Sequence, residues 1–246
     1  MLSNSIKAVI LAAGKGTRLA GEGTDLPKVM RLAAGEPLLA HVLNALDFIP
    51  RGDCVLVVGY KREAVMAAFP DCVFAVQEQQ LGTGHAAMAG LGAIEDYEGP
   101  VLLCYGDMPL VKRETYEALI RGHMDSGNAC TLLSGIFDEQ LPYGRIVRDE
   151  KGAFCGIVED RDCTPEQKAI KELNVGIYVF DASALRGVLS EIKNDNVQGE
   201  YYLTDAPLLL VKKGLPVGVC CRRLGDEIIG VNTLEQLRQV EELLLK

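Results

Sequence analysis

Near the start of the chain stands a glycine loop ringed by basic side chains: Leu11-Ala12-Ala13-Gly14-Lys15-Gly16-Thr17-Arg18-Leu19, then Leu26-Pro27-Lys28-Val29. The apolar run Ala8-Val9-Ile10-Leu11 ahead of it reads as a buried strand. Gly14 and Gly16 let backbone N–H groups approach an anion, and Lys15, Arg18 and Lys28 gather positive charge around it. That combination suits a nucleoside triphosphate. Two better-known phosphate loops do not fit. A Walker loop separates its glycines by four residues before Gly-Lys-Ser/Thr. A dinucleotide fingerprint needs a third glycine where this chain has Leu19.

Other residues carry possible chemistry further on. Asp107 follows the apolar run Val101-Leu102-Leu103-Cys104-Tyr105-Gly106. A carboxylate there could hold Mg²⁺ near the phosphates, or be a turn or helix-capping aspartate before Met108-Pro109. Gln77-Glu78-Gln79-Gln80-Leu81-Gly82-Thr83-Gly84-His85 opens a helix from a strand end. Its glutamines could read a base edge, and its glycines permit close backbone approach. His85 reads more simply as a residue of the helix's first turn. Glu159 and Asn174 end later strands, and with Tyr143-Gly144 they are either turn residues or hydrogen-bonding groups for a polyhydroxylated ligand. Asn232 precedes the last helix and is a ligand or its cap. The loop from Asn194 to Asp205, with Gly199-Glu200-Tyr201-Tyr202-Leu203-Thr204, is polar and aromatic at once, as sugar-binding loops often are.

The elements that must position these groups follow from periodicity. Strands are expected at 7–11, 54–58, 72–77, 101–105 and 129–133, with helices at 37–48, 62–69, 85–94 and 113–123 between them. Alternating strands and helices, with strands apolar on both faces, predict an α/β fold with a Rossmann-like, mainly parallel sheet flanked by helices. Ligands then sit beyond the carboxyl ends of the strands. After residue 142 the pattern becomes a hairpin at 144–147 and 154–158, a strand at 175–180 and helices at 182–192 and 205–213. This predicts a small β-rich lobe. The expected division is a domain over 1–232 and a C-terminal helix over 233–246, with Thr233 as its N-cap.

Composition excludes several classes. The 246 residues are 48% hydrophobic with a net charge of −9, which argues against nucleic acid as the main partner. No apolar run approaches the roughly 18 residues of a spanning helix, and residues 1–7 lack the layout of a signal peptide. A cytoplasmic protein without a membrane partner is expected. The cysteines at 54, 72, 104, 130 and 155 read as reduced core thiols, and no Cys-x-x-Cys occurs. Cys220-Cys221 reads as alternating faces of one strand.

LAAGKGTRL, LPKV, QLGTGHA, YGDMPL, YGRIV, GIVED, GEYYLTD and GVNT occur in order from Leu11 to Thr233. In that order they resemble the sugar-phosphate nucleotidylyltransferases, in particular the N-acetylglucosamine-1-phosphate uridylyltransferase branch. The resemblance implies the nucleotide-diphospho-sugar transferase fold with a sugar-binding lobe. It also implies transfer of UMP from UTP to N-acetylglucosamine 1-phosphate, giving UDP-N-acetylglucosamine and pyrophosphate, with Mg²⁺ as cofactor. Carried over by motif, Leu11, Ala12, Ala13, Gly14, Gly16, Gln77, Gly82 and Thr83 bind the nucleotide, and Arg18 and Lys28 act on the phosphates. Tyr105, Gly144, Glu159 and Asn174 hold the sugar, and Asp107 and Asn232 ligate the metal. Three departures stand out. Ten positions separate Arg18 from Lys28, more than is usual in the family. Asn174-Val175-Gly176 replaces a frequent Asn-Thr-Gly. The hexapeptide repeats of the bifunctional enzymes do not occur, so no acetyltransferase activity is expected. A transferase for another sugar or base, or a non-catalytic nucleotide-sugar sensor, are the competing readings.

Overall fold

The computed structural model describes residues 6–16, Leu19 and residues 26–246. Strand β1 (Lys7–Leu11) leads to the glycine loop. A small hairpin of β2 (Leu32–Ala33) and β3 (Glu36–Pro37) feeds helix α1 (Leu38–Ala45). Then come β4 (Cys54–Val58), α2 (Arg62–Ala68), β5 (Val73–Val76), α3 (Thr83–Gly92), β6 (Pro100–Tyr105), α4 (Arg113–Ser126) and β7 (Cys130–Ile136). The second half holds β8 (Arg145–Arg148), β9 (Phe154–Val158), α5 (Pro165–Lys168) and β10 (Glu172–Asp181). It closes with α6 (Ala182–Leu189), α7 (Ala206–Lys212), β11 (Val217–Arg222) and α8 (Leu234–Leu244).

The main sheet runs β11-β7-β10-β6-β1-β4-β5, with the β8–β9 hairpin attached through β10. Strands β1, β4, β5 and β6 are mutually parallel, and β11 is parallel to β7. Only β10 in that row runs the other way, antiparallel to both β6 and β7. The sheet is therefore mainly parallel, as its two-faced apolar strands predict. The reversal has a functional consequence: β10 delivers its beginning, not its end, to the edge where the parallel strands finish.

Successive residues of each strand feed opposite cores. Ala8, Ile10, Leu56, Leu102 and Cys104 pack under Leu39, Val42 and Leu43 of α1 and Leu119 and Ile120 of α4. Val9, Val55, Val57 and Leu103 pack under Ala86, Ala87 and Leu91 of α3 and Leu185 and Val188 of α6. Helix α3 lies very close to the sheet, because Gly90 faces Val9 and Val57 with no room for a Cβ. A third cluster joins Leu19, Ala33, Leu38, Val231 and Val240, so α8 packs against the region beside the glycine loop.

Boundaries differ from the sequence reading where the cause is non-local. The helix expected from residue 37 begins at Leu38, because Ala34 and Gly35 both take positive φ and close the β2–β3 hairpin. Strand β10 extends to ten residues because it pairs on both sides. Among the described residues no helix is long and apolar enough to cross a membrane.

The cysteines are all free. Cys54, Cys72, Cys104 and Cys130 are buried, as expected, but Cys155 is only half-buried, so it is not a core thiol. Burial pushes the Cys54 thiol up to about 12 and raises Cys104 and Cys130 as well. A thiol reagent should therefore modify the exposed Cys221 first, and should reach Cys54, Cys104 and Cys130 only after denaturant is added. Mass-spectrometric mapping of labelled peptides, with and without urea, checks this.

Candidate active site

Backbone hydrogen bonds beyond the strand ends build the site's floor. Ala12 N donates to Val57 O at 2.9 Å, Gly106 N to Leu11 O at 3.0 Å and Gln77 N to Val58 O at 2.8 Å. The loops after β1, β4, β5 and β6 thus leave the sheet side by side. They enclose a cleft of about 290 Å³, bordered by Leu11, Ala12, Ala13, Gly14, Lys28, Gln77, Gly82, Thr83, Tyr105 and Asp107. A second cleft of about 180 Å³ contains Gly144, Glu159, Asn174 and Asn232, and shares Tyr105 and Asp107 with the first. Residues singled out from seven separate motifs therefore line two adjoining chambers.

Gly16 does not line the cleft itself. Its φ is +66°, and a Cβ there would stand 2.9 Å from the Lys28 Cβ, so the absent side chain lets Lys28 cross the loop. Arg18 lies outside the described residues. The Lys28 ammonium donates to Asp107 Oδ2 and, at 2.7 Å, to Asn232 Oδ1. Asn232 is free for this because it is not the cap of α8. Thr233 takes that role, with a reciprocal capping box to Gln236. Asp107 O in turn accepts from Val231 N at 2.9 Å, fixing the two loops together.

In the first chamber Gln77 is buried, and its amide nitrogen lies 3.0 Å from Gly82 O and 3.1 Å from His85 Nδ1. With both amide hydrogens directed there, Gln77 presents its carbonyl oxygen as an acceptor. His85 is thereby a positioning residue for Gln77, a role its place in a helical turn did not reveal. Gly82 has φ +110° and lies against the backbone of Tyr201. Gly84 N donates to Tyr201 O at 2.7 Å, and Leu203 N to Thr83 Oγ1 at 3.0 Å. The Glu200–Leu203 segment, read as suited to sugar, thus braces the first chamber, and Glu200 borders it.

The second chamber depends on the reversed strand. Gly176 has φ +81° and no room for a Cβ beside the Tyr105 ring. Asn174 Nδ2 donates to the Tyr178 hydroxyl at 2.8 Å, and Gly176 N donates to Asn174 Oδ1 at 3.3 Å. Burial raises the Tyr105 phenol well above its ordinary value, so it stays neutral and can donate. Glu159 Oε1 accepts from Thr204 Oγ1 at 3.0 Å. Arg145, missed in the sequence because it sits in a strand, is fully buried. It donates to Tyr143 O and pairs with Asp160 at 3.0 Å, holding the neighbours of Gly144 and Glu159. A buried arginine in a strand is the unusual signal that would have found it.

A parallel sheet ending in a glycine loop, with cationic and acidic groups converging above it, defines a nucleoside-triphosphate transferase domain. The chain belongs to the MobA-like NTP transferase domain family, whose model matches residues 8–157. It is 41% identical to the "Bifunctional protein GlmU" of Alkaliphilus metalliredigens over 240 residues, covering 97% of this chain and 52% of that protein. The protein of the same name from Caldanaerobacter subterraneus is 42% identical over 241 residues, covering 96% of this chain and 51% of that protein. The chain spans about half the length of the curated relatives it matches. A solved Bacillus anthracis structure in complex with sucrose, described as a glucose-1-phosphate thymidylyltransferase, superposes with a TM-score of 0.73 at 19% identity. That likeness covers 97% of this chain and 95% of the other, and it supports the shared fold.

Proposed function

We propose that this domain transfers UMP from UTP to N-acetyl-α-D-glucosamine 1-phosphate, releasing pyrophosphate, in the cytoplasm and without nucleic-acid or membrane partners. The unit is the 1–232 domain closed by the 233–246 helix. The observation that carries the reading is the pair of adjoining chambers meeting at Tyr105 and Asp107. One chamber is lined for a nucleotide, the other for a polar sugar.

Asp107 and Asn232 fit a divalent cation. They already turn two oxygens onto one cation, the Lys28 ammonium, and a carboxylate with a carbonyl oxygen is a hard-cation donor set. When bound, Mg²⁺ would offset charge between the two phosphate groups. Gly14 leaves the loop backbone open to the triphosphate, Gly16 lets Lys28 cross beside it, and Arg18 and Lys28 neutralise it. The acceptor oxygen of Gln77 suits the N3–H of uracil and opposes cytosine, which has an acceptor there. Thr83 and Gly82 complete the base contacts. Tyr105, Gly144, Glu159 and Asn174 take the sugar.

No general base is required. The second pKa of a sugar phosphate is about 6, so the attacking oxygen is largely ionised at neutral pH. What remains is to bring two anions in line, which is a matter of positioning and electrostatic stabilisation. Phosphorus NMR of the protein with UTP, N-acetylglucosamine 1-phosphate and Mg²⁺ should show a nucleotide-sugar diphosphate and free pyrophosphate appearing together. Release of inorganic phosphate, or no new signals, would overturn the reading.

Burial raises Glu159 above its ordinary value, opposed by the Thr204 hydrogen bond. Its ionised carboxylate is the stronger acceptor for sugar hydroxyls. As pH falls through that raised value it takes up a proton, and sugar affinity falls. Glu159→Gln should raise the sugar KM about tenfold and leave only the acid limb of the sugar phosphate, near ~6. KM measured from about pH 5 to 8 in both proteins checks this.

A further inference from the structure

We propose that Lys15 and Lys61, gathered on the ring of Tyr60, form a cationic shelf for the pyrophosphate end of the nucleotide and for the pyrophosphate that leaves. This rests on the uridylyl-transfer reading above. Strands β1 and β4 are parallel neighbours with Leu11 opposite Val57, so the loops that follow them emerge together. Tyr60 N lies 3.4 Å from its acceptor, Ala13 O. Gly59 packs so tightly there that a Cβ would stand 3.0 Å from both the Ala13 methyl and the Gln80 amide nitrogen. Ala13, Gly14 and Gln80 all border the nucleotide chamber.

The Lys15 and Lys61 ammonium groups each lie 5.8 Å from the centre of the Tyr60 ring, within the ~6 Å reach of a cation–π contact. Lys61 reaches this position from left-handed backbone, φ +48°, which is uncommon for a residue with a long side chain. Arg62 beside it is directed elsewhere, to Glu78 at 2.8 Å. Both ammonium groups add positive charge beside the glycine loop, which favours an anion there.

In the reaction a sugar-phosphate oxygen bonds to the α-phosphorus, and the bond from that phosphorus to the oxygen bridging to the β-phosphorus breaks. The electron pair stays on the bridging oxygen, so pyrophosphate departs with one more negative charge than the same atoms carried in the nucleotide. Charge balances with no proton transfer. A cationic shelf therefore favours the leaving group over the bound nucleotide, which is the differential stabilisation that catalysis needs.

The test is Lys61→Met, assayed in reverse with UDP-N-acetylglucosamine and pyrophosphate, alongside calorimetric titration of pyrophosphate into the free protein. The KM and Kd for pyrophosphate should rise about tenfold, as for loss of one charged partner, while the nucleotide-sugar KM stays within about twofold. Tyr60→Leu should reproduce the loss, and Tyr60→Phe should not. Unchanged pyrophosphate affinity in a natively folded Lys61→Met protein overturns the shelf. If the wild type binds pyrophosphate but does not consume the nucleotide sugar, the substrate reading fails, and the titrations still decide the shelf.

Discussion

Asp107→Asn is expected to lower kcat about 10³-fold while leaving UTP affinity within a few-fold, the signature of a group that stabilises developing charge rather than the ground state. Its carboxylate stands where the two chambers meet and faces the Lys28 ammonium, while the Val231 amide holds its backbone carbonyl. Asparagine keeps the volume and one acceptor oxygen but loses the charge. The loop should therefore keep its shape, and the loss should appear in turnover. Steady-state pyrophosphate release, with calorimetric titration of UTP, separates the two quantities. A fall in kcat of less than about tenfold would show that Asp107 is a loop residue, the alternative its place before Met108-Pro109 left open.

Gly82→Ala should be the most damaging change in the loop proposed to read the base. Its φ is +110°, and an added Cβ would stand 2.6 Å from Tyr201 O and 2.8 Å from Tyr201 N. Both neighbours are backbone and cannot swing aside. The strain should cost about 2–3 kcal/mol of stability, read as a lower urea midpoint at unchanged slope. Because Gly82 O also accepts from Gln77, uracil recognition should suffer with it, raising the UTP Kd more than about tenfold. Gly14→Ala supplies the contrast. Nothing lies within 4 Å of its Cβ position, so stability should hold while the phosphate approach is blocked. Equal stability of the two variants would contradict the strain argument.

Much of this was legible because local pattern and burial agree. The runs at 54–58 and 8–11 are apolar on both faces, and they form two adjacent parallel strands, β1 and β4, with the bounds 7–11 and 54–58 read from the sequence. The ordered motifs identified residues that the fold brings to one sheet edge. The direction of β10 was not legible, since alternation along a strand is the same read either way. That reversal is what carries Asn174 and Gly176 to Tyr105. Nor could spacing show that Asp107 and Asn232, which are 79 and 204 positions from Lys28, would face the same ammonium. Asn232 reads as a ligand or a helix cap, and the structure gives the cap to Thr233, the N-cap expected from the sequence. His85 and Arg145 act through other residues, Gln77 in one case and the Tyr143 carbonyl and Asp160 in the other. Composition carries no trace of such indirect roles.

The most direct test of the account compares pyrophosphate release from UTP with N-acetylglucosamine 1-phosphate and with glucose 1-phosphate, under identical Mg²⁺. The proposal that the second chamber hydrogen-bonds an acetamido sugar predicts a kcat/KM about 10²-fold higher for the amino sugar. Equal kcat/KM for the two sugars would contradict the assignment of that chamber, and no release with either would contradict uridylyl transfer itself.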